Sequence, residues 1–165
     1  MIVLPGRVIV IMINNTRQTV RREDNDMSES LKEKAAALCL GGDYNCAEST
    51  LLAASELYDL GLGAEDAKLM GGFGGGLASG LTCGALCGSA AALGKMALRG
   101  PAHRQPDFRA LCGEYVNAFR ETMGGTQCSE LKSCYYVQGQ GCVRAIEKNA
   151  ELLEAFIASH DLKAL

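Results

Sequence analysis

From Ser30 onward the chain is a series of helix starts and glycine stops, and that punctuation constrains its fold more than any other feature. Ser30 and Glu33 have capping-box spacing ahead of LKEKAAALCL, which Gly41 and Gly42 close. Asn45 and Glu48 repeat the arrangement for a helix from Cys46 to about Leu60, ended by Gly61. A short helix from Ala64 to Met70 runs into GGFGGGLASG, too glycine-rich for a regular element and too long for a tight turn. There the backbone must come close to something, a packed helix being the plainest candidate. A phosphate-cradling loop is not expected, because no strand precedes the glycines and no Gly-Lys-Ser/Thr follows.

Thr82 is placed to cap a fourth helix that begins at Cys83 and runs through CGALCGSAAALGKMAL to the Arg99-Gly100-Pro101 break. Its small residues Gly84, Gly88, Ala91 and Ala92 leave room for a bulky neighbour or a close partner helix. Pro106 suits the first turn of a fifth helix, whose stripe of Phe108, Leu111, Cys112, Tyr115, Phe119 and Met123 ends at Gly124-Gly125. A short TQCSELKSC segment, with Thr126 as its cap, and a VQGQG linker lead to a last helix beginning at Cys142. That helix has an inner stripe of Ile146, Ala150, Leu153 and Ile157. No strand run of quality follows Met27. The expected fold class is all-α: a single-domain helical bundle of about six helices with a Gly-rich loop, most simply antiparallel, spanning residues 27–165.

Residues 14–27, NNTRQTVRREDNDM, are polar and separate this bundle from an apolar opening, MIVLPGRVIVIMI. Residues 1–26 are expected to be an N-terminal arm, disordered or a non-native start ahead of Met27; an extra strand from Val8 to Ile13 is the competing expectation. The opening run is too short to span a bilayer and is broken by Pro5, Gly6 and Arg7. It lacks the basic start and small-residue cleavage site of a secretory signal, so a cytoplasmic location and no membrane partner are expected.

At 165 residues the chain can bury roughly two-thirds of its unfolded surface and does not need disulfides to fold. With a net charge of -3 and a pI of about 5.4 it offers no basic stripe to a phosphate backbone, and nucleic acid is not an expected partner. In a reducing compartment its eight cysteines read as thiols or metal ligands rather than as a disulfide framework.

The cysteines divide into classes. Cys46, Cys83, Cys128 and Cys142 each fall where a helix begins, and free N–H groups with a partial positive charge there lower the energy of a thiolate or an anionic thiolate–metal centre. Cys39 and Cys112 are placed like small core residues. Cys87, one turn beyond Cys83 on the same helix face, is a candidate additional ligand or the partner of Cys83 in a strained disulfide, and Cys134 has no assigned role. The gaps between the four helix-start cysteines are long, so as ligands they would have to converge through the tertiary fold. His103, in a loop, and His160, in the tail, are expected to be solvated rather than ligating. Covalent c-type haem is excluded by the lack of C-x-x-C-H, and neither histidine has a third group that would mark it as the base of a catalytic triad.

CGALCG at Cys83 to Gly88 matches CGAxxG, and with Cys46 before it and Cys128 and Cys142 after it the order resembles the C-GCAxxG-C-C family of redox-active proteins. NCAES at Asn45 to Ser49, the GGFGGGLASG approach and the final CVRAIEKNAELLE are similar to that family as well, over roughly residues 30–158. The resemblance implies a small, mostly helical domain with four characteristic cysteines and an inferred redox role. Related split-Soret cytochromes join a similar domain to covalent haem and an iron–sulfur centre, and the haem part is lacking here. Cys39, Cys87, Cys112 and Cys134 go beyond the four-cysteine pattern.

Three functional expectations follow. The first is a cytoplasmic redox protein binding a two-iron or four-iron cluster through Cys46, Cys83, Cys128 and Cys142, acting in electron transfer or redox sensing with a redox partner protein, a homodimer being one candidate assembly. The second is a metal-free thiol–disulfide protein, and the third a structural zinc-binding interaction module. Whether the chain is an enzyme is left open.

Overall fold

The computed structural model describes residues 29–163, so the expected N-terminal arm and its alternative strand lie outside the described residues. Helix α1 (Leu31–Gly41) begins where its capping box says: Ser30 Oγ accepts from the Glu33 amide at 3.3 Å, and Glu33 Oε2 accepts from the Ser30 amide at 2.8 Å. Helix α2 (Cys46–Tyr58) is capped the same way, with Asn45 Oδ1 accepting from Ala47 and Glu48 and Glu48 Oε2 accepting from the Asn45 amide at 2.9 Å. It stops two residues short of Leu60, because Asp59 turns left-handed at φ 52°.

The connection out of α2 contains α3 (Ala64–Ala67), which passes directly into a 3₁₀ segment, Lys68–Phe73. After it, Gly75, Gly76, Leu77 and Ala78 all take positive φ, a left-handed turn that forms the heart of the glycine-rich loop. Then follow α4 (Gly84–Ala97), α5 (Pro106–Met123), α6 (Cys128–Tyr135) and α7 (Val143–Ser159). Among the described residues the α-helix count reaches seven because the TQCSELKSC stretch closes as a two-turn helix. Neither Thr82 nor Thr126 is the cap; Cys83 and Gln127 hold those positions. Among the described residues there is no strand, only two isolated bridges.

The bundle is not simply antiparallel. Helices α2, α4 and α7 run in the same direction: the first turns of α2 and α4 pack on each other, and Cys142 at the start of α7 shares a cavity with Cys46 at the start of α2 while late α7 meets the start of α1. The long 59–82 connection makes this possible by returning the chain to the end from which α2 departed. Helices α1 and α5 run the other way: the Leu31 amide at the start of α1 reaches Glu154 late in α7, and Pro106 at the start of α5 shares a cleft with His160 at the end of α7, while Tyr135 Oη links Met123 at the end of α5 to Lys148 early in α7. The core between them holds Leu31, Leu93, Met96, Tyr115, Phe119, Ile146 and Leu153. The expected α7 stripe is buried throughout, whereas only the second half of the α5 stripe is: Phe108, Leu111 and Cys112 are partly exposed at the bundle's edge. No helix among the described residues is long and apolar enough to cross a membrane.

Candidate thiol site

Because three helices start at one end, their N-terminal residues meet there. Cys46 occupies the first position of α2, and its sulfur lies against Gly84: a Cβ at Gly84 would sit 2.5 Å from Cys46 Sγ and 2.8 Å from the Phe73 carbonyl. One turn later a Cβ at Gly88 would collide with the Ala47 carbonyl and press on Thr50. The i, i+4 glycines of CGALCG therefore form the face on which α4 docks against α2, which is the close partner helix its small residues allow.

Two backbone devices bring in the remaining cysteines. The Thr82–Gln127 bridge pairs the segments leading into α4 and α6, with the Cys83 amide donating to the Thr126 carbonyl at 2.9 Å and the Cys128 amide donating to Leu81. The Val137–Gly141 bridge folds the VQGQG linker back, with the Val137 amide donating to Gly141 at 2.7 Å, so that Cys142 caps α7 close to α6. The glycine-rich loop then covers the group. Gly76, at φ 65°, has Cys128 Cβ 2.5 Å from where its own Cβ would be, a position no L side chain could share. The expected close approach of that loop is thus to the start of α6.

The result is a cavity of about 470 Å³ lined by Cys46, Cys128 and Cys142 together with Ala78, Lys132 and Tyr136. Cys83 is not among its lining residues; it is buried, only 5% exposed, within electrostatic reach of Cys46 and Cys128. Burial pushes the Cys83 thiol up to about 12; the Leu86 and Ala85 amides pull the other way without forming a cap hydrogen bond, and negative charge on Cys46 or Cys128 pushes it further up. Cys128 and Cys142 are raised too, first by burial and then by neighbouring thiolates, with Lys132 opposing. The helix-start placement was expected to favour thiolates. At Cys83 desolvation and neighbouring thiolates outweigh the amides, and Cys128 and Cys142 are shifted in the same direction.

The other cysteines separate by position. Cys39, expected to be a core residue, is half-buried within electrostatic reach of Cys46 and Cys142, at the end of α1 that comes down beside the site. Sequence periodicity could not show this, because α1 reaches the site only by packing against α2 and α7. Cys87 feels Cys46 across the α2–α4 contact. Cys112 is raised by burial alone and lines a separate cleft with His103 and Arg109. Cys134 is exposed. His103 is exposed as expected, but His160 packs on Phe156 and lies 3.2 Å from Glu114. All eight cysteines are free thiols. Among the described residues no three His, Cys, Asp or Glu side chains stand close enough together to hold a single metal ion.

The family described as "Putative redox-active protein (C_GCAxxG_C_C)" matches residues 44–156, well over half of the chain and all four helix-start cysteines. This chain belongs to that family. The match begins at Tyr44, so α1 and Cys39 lie before the part of this C_GCAxxG_C_C protein that matches. Searches of curated proteins and of solved structures found no match to it.

Proposed function

We propose that this protein is a cytoplasmic redox protein whose Cys46, Cys83, Cys128 and Cys142 hold an iron–sulfur cluster, two-iron or four-iron, and that it exchanges electrons with a partner protein or senses redox state. The observation that supports it is the shared cavity: Cys46, Cys128 and Cys142, from the starts of three helices, line a single space of about 470 Å³, and Cys83, buried at the start of a fourth, lies within electrostatic reach of Cys46 and Cys128. A tetrahedral ion needs its sulfurs drawn together around one point at about 2.3 Å, and the donor arrangement does not provide that. A cluster spreads its thiolates over several irons and fits a wider set, so it is preferred to structural zinc.

The electrostatics favour a cationic centre over a free nucleophile. A thiol–disulfide mechanism needs a thiol ionised near neutral pH, and Cys83, Cys128 and Cys142 are shifted the opposite way. Iron at the cavity would supply the positive charge that makes them thiolates and a one-electron couple. The chain's own groups do the rest. Lys132 offsets negative charge beside Cys128 and Cys142, the left-handed turn at Gly75–Ala78 limits water on one side, and Cys87 and Cys39 stand near Cys46 as additional thiols. Anaerobic purification with iron, zinc and acid-labile sulfide analysis tests the reading. Brown, bleachable protein with stoichiometric iron and sulfide is expected; colourless protein with neither would overturn it.

A further inference from the structure

Ser49, Thr50 and Ser55, buried polar residues of α2, satisfy their hydroxyls locally: Ser49 donates to the Tyr44 carbonyl, Thr50 to Cys46 and Ser55 to Leu62. Ser89 and Asn149 are buried as completely, yet with Tyr115 they bond to one another across three helices. Tyr115 Oη donates to Asn149 Oδ1 at 2.8 Å, Asn149 Nδ2 donates to Ser89 Oγ at 3.1 Å, and Ser89 Oγ donates to the Ala85 carbonyl at 3.0 Å. All three side chains are fully buried, and no buried side-chain polar atom among the described residues is left without a partner. A satisfied buried network specifies one relative placement of the elements that share it, since any slip leaves polar groups unpaired where water cannot reach them.

The placement it specifies is that of two site cysteines. Ser89 lies six residues past Cys83 on α4 and Asn149 seven past Cys142 on α7, about 9–10 Å along each helix axis. Ala85, where the chain of bonds ends, is the second residue of α4, next to Cys83 in the fold. We infer that Tyr115, Ser89 and Asn149 are positioning residues of the thiol site, locking α4 to α7 so that Cys83 and Cys142 are presented at a fixed separation. This rests on the cysteine cavity being the working site. Tyr115 is not a proton or electron relay in this arrangement, because its phenol is bonded to an amide and a hydroxyl and neither is a base.

The test has an arm independent of any bound centre. In the metal-free full chain, alkylation of each cysteine by a maleimide is followed by mass spectrometry for Asn149→Leu, Tyr115→Phe and, as a control for losing a buried hydroxyl elsewhere, Ser55→Ala. The expected result is that Asn149→Leu and Tyr115→Phe raise alkylation of Cys83 and Cys142 at least ten-fold over the unmodified chain, leave Cys39 and Cys46 within two-fold, and keep the native circular dichroism. In Ser55→Ala no such pattern is expected. Equal acceleration at every cysteine would mark general loosening and overturn the inference, as would no change at Cys83 and Cys142. In iron-loaded protein, the rate of iron loss to a chelator should rise at least five-fold in Asn149→Leu but not in Ser55→Ala, and an unchanged rate would also overturn it. If the unmodified chain takes up no iron or sulfide while the alkylation pattern appears, the cluster reading fails and the positioning role stands.

Discussion

The two ends of the bundle are built on different principles. At the cysteine end, α2, α4, α6 and α7 begin together, backbones approach to distances only glycine permits, and non-glycine residues Leu77 and Ala78 are held in the left-handed region. Such strain costs about 1–2 kcal/mol per residue and persists only where surrounding structure demands it. At the opposite end, where α5 begins and α7 finishes, there are open clefts of about 350 and 460 Å³ edged by Arg104, Arg109 and His160, and Gly113 has nothing within 4 Å of where a Cβ would be. Each end has thiols. Cys83 and Cys112 are both raised by burial, but Cys83 also sits among neighbouring thiols, whereas Cys112 has no thiol beside it and shares its cleft with Phe108, His103 and Arg109. A cysteine's chemistry here follows from which helix ends surround it rather than from its own exposure.

That contrast breaks most decisively under mutation of the thiols. Cys83→Ala is expected to abolish bound iron and any visible chromophore, because every ligand contributes to the binding free energy. Cys112→Ala should cost about 1 kcal/mol in urea unfolding and leave iron content unchanged. Iron retained in Cys83→Ala and lost in Cys112→Ala would move the site to the other end.

The glycines give the next largest effect. Gly88→Ala forces a methyl into the Ala47 carbonyl and Thr50 and should destabilise by about 3 kcal/mol. Gly113→Ala, in the exposed part of α5, should stabilise by about 0.5–1 kcal/mol, since alanine is the better helix former and meets nothing. Similar urea midpoints for the two variants would show that the close α2–α4 approach is not what the CGALCG glycines serve.

Titration separates the ends more finely. The Cys83 thiol ionises at about 12 in the folded chain against 9.0 for an unperturbed thiol, so folding favours the protonated form. Its contribution to stability is full below pH 9 and is lost as pH rises from 9 towards 12. In that window metal-free protein should lose about 1.4 kcal/mol per pH unit more than Cys83→Ala does. Parallel pH curves for the two proteins would mean that Cys83 is not held neutral by the fold. The smallest effect is expected at exposed Cys134, where Cys134→Ser should stay within about 0.5 kcal/mol of the unmodified chain and leave iron content the same.

Much of this architecture is local and was therefore readable along the chain. Ser30–Glu33 and Asn45–Glu48 place their helix starts to the residue because a capping box is satisfied within four residues, and the α7 stripe follows from helical period alone. The four helix-start cysteines were legible for the same reason, each within one position of a helix N-terminus, as was membership in a redox-active family through their order around CGALCG. Tertiary structure alone decided what no local rule encodes. It set the shared direction of α2, α4 and α7, which depends on the long 59–82 return, and it brought Cys39 to the site by packing α1 against α2 and α7. It joined Tyr115, Ser89 and Asn149, residues 26 to 60 positions apart that look unremarkable singly. It also reversed the sign of the thiol shifts, because helix-end amides act over one turn whereas desolvation is set by everything that packs around the sulfur.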